Sequence, residues 1–146
     1  MEIKRFEDVN QLFAVVRAFE DASIARDAWK HTQHLTLALH YLSIYDMATA
    51  TEKMRTGIFK LLAAFGVDMT KEMPYHETLT VFWMNTVSDF ALSRKRNSLL
   101  NQANELIVRY DKDYPLKFYS REHLFSDEAR ARFVVGDLNP NDQVME

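Results

Sequence analysis

The segment D-A-W-K-H-T-Q-H-L-T-L-A-L-H-Y-L-S-I-Y, residues 27–45, carries a clear helical pattern and three of the five histidines of the chain. A helix turns about 100° per residue, so Ala38 and Leu42 point within about 20° of His31. His34 lies about 60° to one side of the same direction. The pattern predicts a helix that turns two imidazoles toward the protein interior.

Helical periodicity extends over roughly the first 110 residues, with apolar side chains at steps of three and four. The predicted fold class is all-α: one bundle of about five helices over residues 1–138 and a polar C-terminal tail at 139–146. Beyond Pro115 we expect a flap made of an extended stretch and a short helix capped by Ser126. The five helices are predicted at about 9–19, 27–45, 47–65, 75–93 and 99–110, with Asp27 and Asp46 as N-caps.

Two glycines and one loop mark the third predicted helix. Gly57 lies inside it and predicts a close approach by another helix, because glycine there costs about 1 kcal/mol relative to alanine. Gly66 lies where a helix takes a left-handed terminal residue. The segment V-D-M-T-K-E-M-P, residues 67–74, is predicted to be a loop.

Composition restricts the class of protein. The chain has 146 residues, of which 47% are hydrophobic and 27% charged, values typical of a globular protein. A net charge of −3 argues against nucleic acid and anionic membranes as partners. There is no cysteine, no long apolar run and no secretory signal pattern, which predicts a soluble, cytoplasmic protein. Without a G-x-G-x-x-G or Walker sequence, no nucleotide cofactor is expected.

His76 is predicted to face the interior from the start of the fourth helix, since Thr80 and Trp83 lie within about 60° of its direction. In an up-down bundle the second and fourth helices run parallel and begin at the same end. The spacing therefore predicts that His31, His34 and His76 converge. His40 points about 180° away from His31 and is expected on the solvent side.

Three interior imidazoles must each find a partner, since an unpaired buried polar group costs on the order of 2 kcal/mol. A divalent metal such as zinc, iron or nickel would satisfy all three and leave coordination positions open. Alternatively, each histidine bonds a carbonyl or carboxylate. Near this site, Tyr41 and Tyr45 are candidates for the pocket wall, or plain core. Glu77 is a candidate acid or a helix-dipole residue, and Thr80 supports His76 or bonds its own backbone.

Four segments together resemble a family of small bacterial helical proteins with no established activity. They are W-K-H-T-Q-H-L (29–35), Y-H-E-T-L-T (75–80), P-L-K-F-Y-S-R-E-H-L (115–124) and A-R-A-R-F-V-V-G-D-L (129–138). The resemblance covers about residues 20–138, and the chain departs from it near Val135 and Gly136, where glutamate or proline is common. The positions it marks are Trp29, His31, His34, Tyr75, His76, Thr78, Thr80, Tyr119, Ser120, Arg130 and Asp137.

The resemblance adds Tyr75, Tyr119 and Arg130 to the candidate pocket residues. It also suggests that an ion pair between Arg130 and Asp137 pins the flap over the end of the bundle. In architecture the predicted bundle is similar to DinB-like proteins, which hold a metal on three histidines, although the spacings differ.

Three functional hypotheses follow from the sequence. The first is a metal-dependent hydrolase or transferase acting on a small molecule at the histidine trio. The second is a non-catalytic module that binds a small ligand or anion at two helix N-termini. The third is a structural or interaction protein whose histidines are satisfied core groups. A homodimer formed through exposed methionine and aromatic side chains is a further hypothesis.

Overall fold

Five helices of 11 to 18 residues build the bundle in a computed structural model of the chain, which describes residues 5–68 and 74–138. Two short helices follow them, and the predicted all-α class is confirmed. The predicted tail and part of the predicted loop at 67–74 lie outside the described residues. In chain order the helices are α1 (Val9–Glu20), α2 (His31–Leu42), α3 (Met47–Ala64), α4 (Glu77–Ser93), α5 (Leu99–Arg109), α6 (Arg121–Leu124) and α7 (Asp127–Ala131).

Helix α2 is the central helix of the bundle and contacts α1, α3, α4 and α5. All five consecutive residues at 35–39 are buried, so the middle of α2 is covered on every side. A helix that is apolar around its whole circumference belongs in a core, whereas a surface helix needs only one apolar stripe. Within the described residues, no helix is long and apolar enough to span a bilayer.

Most helices begin at a side-chain N-cap, but α2 does not. Asp46 and Ser126 cap α3 and α7 as predicted, each accepting a hydrogen bond from a backbone N–H three residues on. Asp27 is not a cap, because it lies in the 3₁₀ turn Arg26–Ala28 and α2 starts only at His31. The N-cap position of α2 is Lys30, whose ammonium group can donate but not accept. The N-cap side chain of α2 therefore supplies no acceptor, although the Gln33 side chain accepts a hydrogen bond from the backbone N–H of Lys30 at 3.1 Å.

The two predicted roles of glycine in α3 are confirmed. A Cβ on Gly57 would lie 2.2 Å from Cε2 of Phe19, a fully buried ring of α1. Gly66 follows the C-terminus of α3 with a φ of +79°, in the left-handed region that favours glycine.

The C-terminal flap packs along the start of α4. The structure has a 3₁₀ turn at Tyr114–Lys117 where an extended stretch was expected, followed by α6 and α7. Thr78 joins the flap to α4: its Oγ1 donates to the carbonyl of Arg132 and accepts from the N–H of Val134. This pairing fixes the flap against the N-terminal end of α4.

The predicted ion pair between Arg130 and Asp137 is wrong. The Asp137 carboxylate instead accepts from the backbone N–H and the hydroxyl of Ser120, at 2.7 and 2.6 Å. The guanidinium of Arg130 lies over the ring of Phe125, 5.6 Å from its centre. The flap is thus closed by backbone and hydroxyl donors, which position Asp137 at the cap of α6.

Candidate functional site

A cavity of about 230 Å³ lies where α2 and α4 begin, and all three predicted histidines line it. His40 does not line it, in agreement with the helical geometry. Contrary to the prediction, His40 is not a solvent-facing residue, because its ring packs against Phe13 and Tyr41. The cavity, called the histidine pocket below, is lined by Trp29, His31, His34, Ile58, Pro74, Tyr75, His76, Leu79, Thr80, Trp83 and Lys112.

His76 is the N-cap of α4 rather than a residue inside it. Its Nδ1 accepts a hydrogen bond from the backbone N–H of Leu79 at 3.1 Å. Its Nε2 lies 2.7 Å from the carbonyl oxygen of Leu124 in α6. Because a carbonyl can only accept, the proton is on Nε2 and both ring nitrogens are engaged. His76 therefore links the start of α4 to the flap.

His31 is held in a similar way from the first residue of α2. Its Nε2 lies 3.0 Å from the carbonyl oxygen of Tyr110, so this nitrogen carries the proton and donates. The ring also packs against Trp83, with 4.7 Å between ring centres. These contacts tie the N-terminus of α2 to the C-terminus of α5.

His34 is the exception among the three. Its Nε2 is shielded from solvent and has no hydrogen-bond partner within the described part of the chain, although the residue as a whole is partly exposed. Its ring stacks on Trp29 at 6.0 Å between centres. A buried nitrogen without a partner costs on the order of 2 kcal/mol. A ligand or a water molecule that bonds to Nε2 of His34 would remove this cost.

The three imidazoles are uncharged near neutral pH. Burial lowers the pKa of His31 and of His76 below the usual value of 6.5. Burial, with a smaller contribution from nearby His31, lowers the pKa of His34 to about 4. The positive charge among the pocket-lining side chains therefore comes from Lys112, and the rings act as neutral donors or acceptors.

Tyr75 and Glu77 form a second polar group beside the pocket. The Glu77 carboxylate pairs with the Arg55 guanidinium at 2.6 Å and accepts a bond from the Tyr75 hydroxyl at 2.6 Å. Burial opposes ionisation of Glu77, but the bonds from Arg55 and Tyr75 keep its pKa below the usual value. Burial together with the bond to Glu77 raises the pKa of Tyr75 to about 12. Glu77 is thus an ion-pair partner joining α3 to α4.

The remaining candidate residues have other partners. The Thr80 hydroxyl lines the pocket but bonds back to the carbonyl of His76 at 3.1 Å, the alternative its sequence position allowed. Tyr41 and Tyr45 were candidates for the wall, yet neither lines the pocket. Tyr41 is ten residues further along α2, about 15 Å from His31 along the helix axis, and Tyr45 lies beyond the C-terminus of α2. The Tyr41 hydroxyl donates to Glu20.

Tyr119 and Arg130 lie behind the pocket rather than in its wall. The Tyr119 hydroxyl donates to the carbonyl of Val134 at 2.6 Å, and its ring stacks on His123. Arg130 acts on the site in two ways: its charge helps to lower the pKa of His76, and its guanidinium covers Phe125, whose ring packs edge-on against His76. Both residues stabilise the flap.

The fit of a metal ion to the trio can be tested from its donor atoms. A metal binds the unprotonated nitrogen of an imidazole. His76 has no such nitrogen to spare, and His31 has only Nδ1, so His34 alone offers an unengaged buried nitrogen. Across residues 5–68 and 74–138, no three histidine or carboxylate side chains are placed to hold one ion. Metal binding would require rearranged hydrogen bonds, and the metal site remains a prediction.

Sequence reasoning missed Lys112 and Trp29 as wall residues. Lys112 follows α5 in a polar turn, and nothing in its neighbourhood distinguishes it from other surface lysines. Trp29 fell inside the predicted helix but precedes α2 in the structure, so helical angles do not describe its position, although the W-x-H motif pointed to it. Only the packing of the 3₁₀ turn against α1, where Trp29 stacks on Phe19, brings that ring to the pocket.

No family model matches this sequence, and no curated protein or solved structure shows a significant similarity to it. The resemblance drawn from the four motifs therefore remains a prediction.

Proposed function

We propose that this protein binds a small anion, a carboxylate or phosphate group, in the histidine pocket. The observation that carries the proposal is the shielded, unpartnered Nε2 of His34 beside the start of α2, whose N-cap side chain supplies no acceptor to the helix. A helix N-terminus presents free N–H groups and a partial positive charge, which favour an anion. Lys112 adds a full positive charge at the same wall.

The size and chemistry of the pocket restrict the ligand. At about 230 Å³ the cavity is smaller than the roughly 300–1,000 Å³ typical of drug-sized ligands. Trp29 and Trp83 supply apolar surface, so an anionic group attached to a short apolar or aromatic body fits the wall. An anion at Lys112 would accept a hydrogen bond from His34 in the tautomer that protonates Nε2.

Calorimetric titration of the protein with phosphate, acetate and benzoate tests the proposal. One of these anions should bind and raise the midpoint of thermal unfolding, by mass action on the folded state. His34→Phe, which keeps a ring stacked on Trp29, and Lys112→Gln should each weaken binding at least several-fold. Lys95→Gln, at an exposed position outside the pocket, serves as the matched control. Equal affinities for all four proteins would overturn the proposal.

A metal centre on His31, His34 and His76 is the second candidate, favoured by the presence of three neutral imidazoles around one cavity. In that case, elemental analysis of the purified protein should find zinc, iron or nickel in stoichiometric amount. A chelator should lower the thermal midpoint, and His76→Asn should reduce the metal content. Anion binding that persists in chelator-treated protein would separate the first candidate from the second.

A further inference from the structure

A second cavity, of about 290 Å³, lies on the other side of α4 and is lined mainly by aromatic rings. We call it the aromatic box. Its rings come from four separate parts of the chain: Phe82 in α4, Tyr110 at the end of α5, Tyr114 and Phe118 around the 3₁₀ turn, and Phe133 after α7. The histidine pocket is a different site and shares none of these lining residues.

The rings of the aromatic box stand at steep angles to one another. Tyr114 meets Tyr110 and Phe118 edge-on, with ring centres 4.8 and 5.5 Å apart, and Phe82 lies 5.6 Å from Phe118. These rings pack against one another at angles of 52° to 69° where they border the cavity. Each aromatic face carries a partial negative charge, so a box of this kind attracts a cation.

Asp89 supplies a full negative charge at the same cavity. Of the eight residues that line the box, Asp89 is the one with a charged side chain. Its carboxylate makes no hydrogen bond or ion pair with another described residue. Arg109 and Lys117 lie over the rings of Tyr110 and Tyr114, at 5.4 and 5.9 Å, yet neither lines the cavity. Cations of the protein itself thus cover one face of each of these two rings, and Asp89, which is exposed, is the anion that borders the cavity.

We propose that the aromatic box binds a methylated ammonium group, such as the trimethylammonium group of choline. An unmethylated ammonium needs acceptors for three N–H groups, whereas the wall around Asp89 is formed by five aromatic rings together with the side chains of Asn85 and Thr86. Methyl groups need none and make apolar contact with the rings while the charge is attracted by the ring faces. A volume of about 290 Å³ suits a small group of this kind.

Titration calorimetry with choline and with 3,3-dimethyl-1-butanol, its uncharged isostere, tests this proposal. Choline should bind roughly 2- to 30-fold more tightly than the isostere, which is the range expected from attraction of a cation to aromatic rings. Asp89→Asn should weaken choline binding several-fold and leave binding of the isostere unchanged. Asp113→Asn removes a nearby exposed carboxylate that does not line the box, and it should bind choline like the unmodified protein.

A peptide carrying trimethyl-lysine distinguishes the source of the group. Tighter binding of the peptide than of choline would assign the box to a modified protein, and the reverse would assign it to a free small molecule. Both results support the proposal. Equal binding of choline and its isostere, no binding of choline in the millimolar range, or unchanged choline affinity in Asp89→Asn would each overturn it.

Discussion

The Nδ1 of His76 caps helix α4 by accepting a hydrogen bond from the backbone N–H of Leu79 at 3.1 Å. The same ring donates from Nε2 to the carbonyl of Leu124 at 2.7 Å. One neutral imidazole thus satisfies a helix N-terminus and a flap carbonyl together. Protonation of Nδ1 would remove the cap, which agrees with burial lowering the pKa of this group.

Replacement of His76 by alanine should destabilise the protein by about 2–4 kcal/mol. Loss of an N-cap costs about 1 kcal/mol, and a buried carbonyl left without its donor costs about 1–3 kcal/mol. Urea denaturation measures the change. His76→Asn is the matched variant, because asparagine can cap α4 but is too short to reach Leu124, so it should recover about 1 kcal/mol. Equal stabilities of the two variants would show that the ring does not cap the helix.

Much of the scaffold could be predicted because its signals are local. Apolar spacing locates each of the five main helices, and polar caps such as Asp46 fix where α3 starts. The limits of α2 were wrong by three or four residues at each end. Asp27 resembles a cap in sequence, but the packing of Trp29 on Phe19 holds that stretch in a 3₁₀ turn. Such tertiary contacts override local propensity.

The sequence predicted where the three histidines lie, but not which atoms they bond. Helical angles and parallel helices bring His31, His34 and His76 to one cavity, but angles say nothing about which nitrogen bonds which carbonyl. Those partners come from Tyr110 and Leu124, each more than 45 residues distant in sequence. The flap was the least predictable part, since its 3₁₀ turn and short helices depend on contacts with α4.

The buried ring of His34 should make stability depend on pH. Its pKa is about 4 in the folded protein and about 6.5 when unfolded, so the unfolded chain takes up a proton first as pH falls. Above about pH 6.5, His34 therefore causes no loss of stability. As the pH falls toward 4, His34 lowers the free energy of unfolding by up to about 3 kcal/mol. Urea denaturation of the protein and of His34→Phe at pH 7.5 and 4.5 measures it.

His34→Phe should lose less stability than the unmodified protein between these two pH values, because phenylalanine has no proton to take up. The comparison isolates His34, since carboxylates that also titrate in this range are common to both proteins. Parallel loss of stability in the two proteins would contradict the assignment of a lowered pKa to this ring.

Gly57→Ala should destabilise the protein although alanine favours helices by about 1 kcal/mol. The added Cβ would lie 2.2 Å from Cε2 of Phe19, and overpacking of this kind costs about 1–3 kcal/mol. Phe19→Leu should reduce the cost of Gly57→Ala by removing the ring atoms it meets. Gly66→Ala is the control: its cost comes from a φ of +79°, so Phe19→Leu should not change it. Denaturation midpoints of all variants measure the effects.

The ion pair between Arg55 and Glu77 should contribute more than an exposed surface pair. The two side chains are 29% and 18% exposed, and Glu77 also accepts from Tyr75. Exposed pairs contribute up to about 1 kcal/mol, whereas breaking buried pairs costs about 3–5 kcal/mol. We therefore expect a coupling of about 1–3 kcal/mol from a double-mutant cycle with Arg55→Met and Glu77→Gln. The pair Arg94 and Glu105, whose carboxylate is 38% exposed, is the control and should couple more weakly. If the two couplings were equal, the burial of Glu77 would have no energetic effect on the pair.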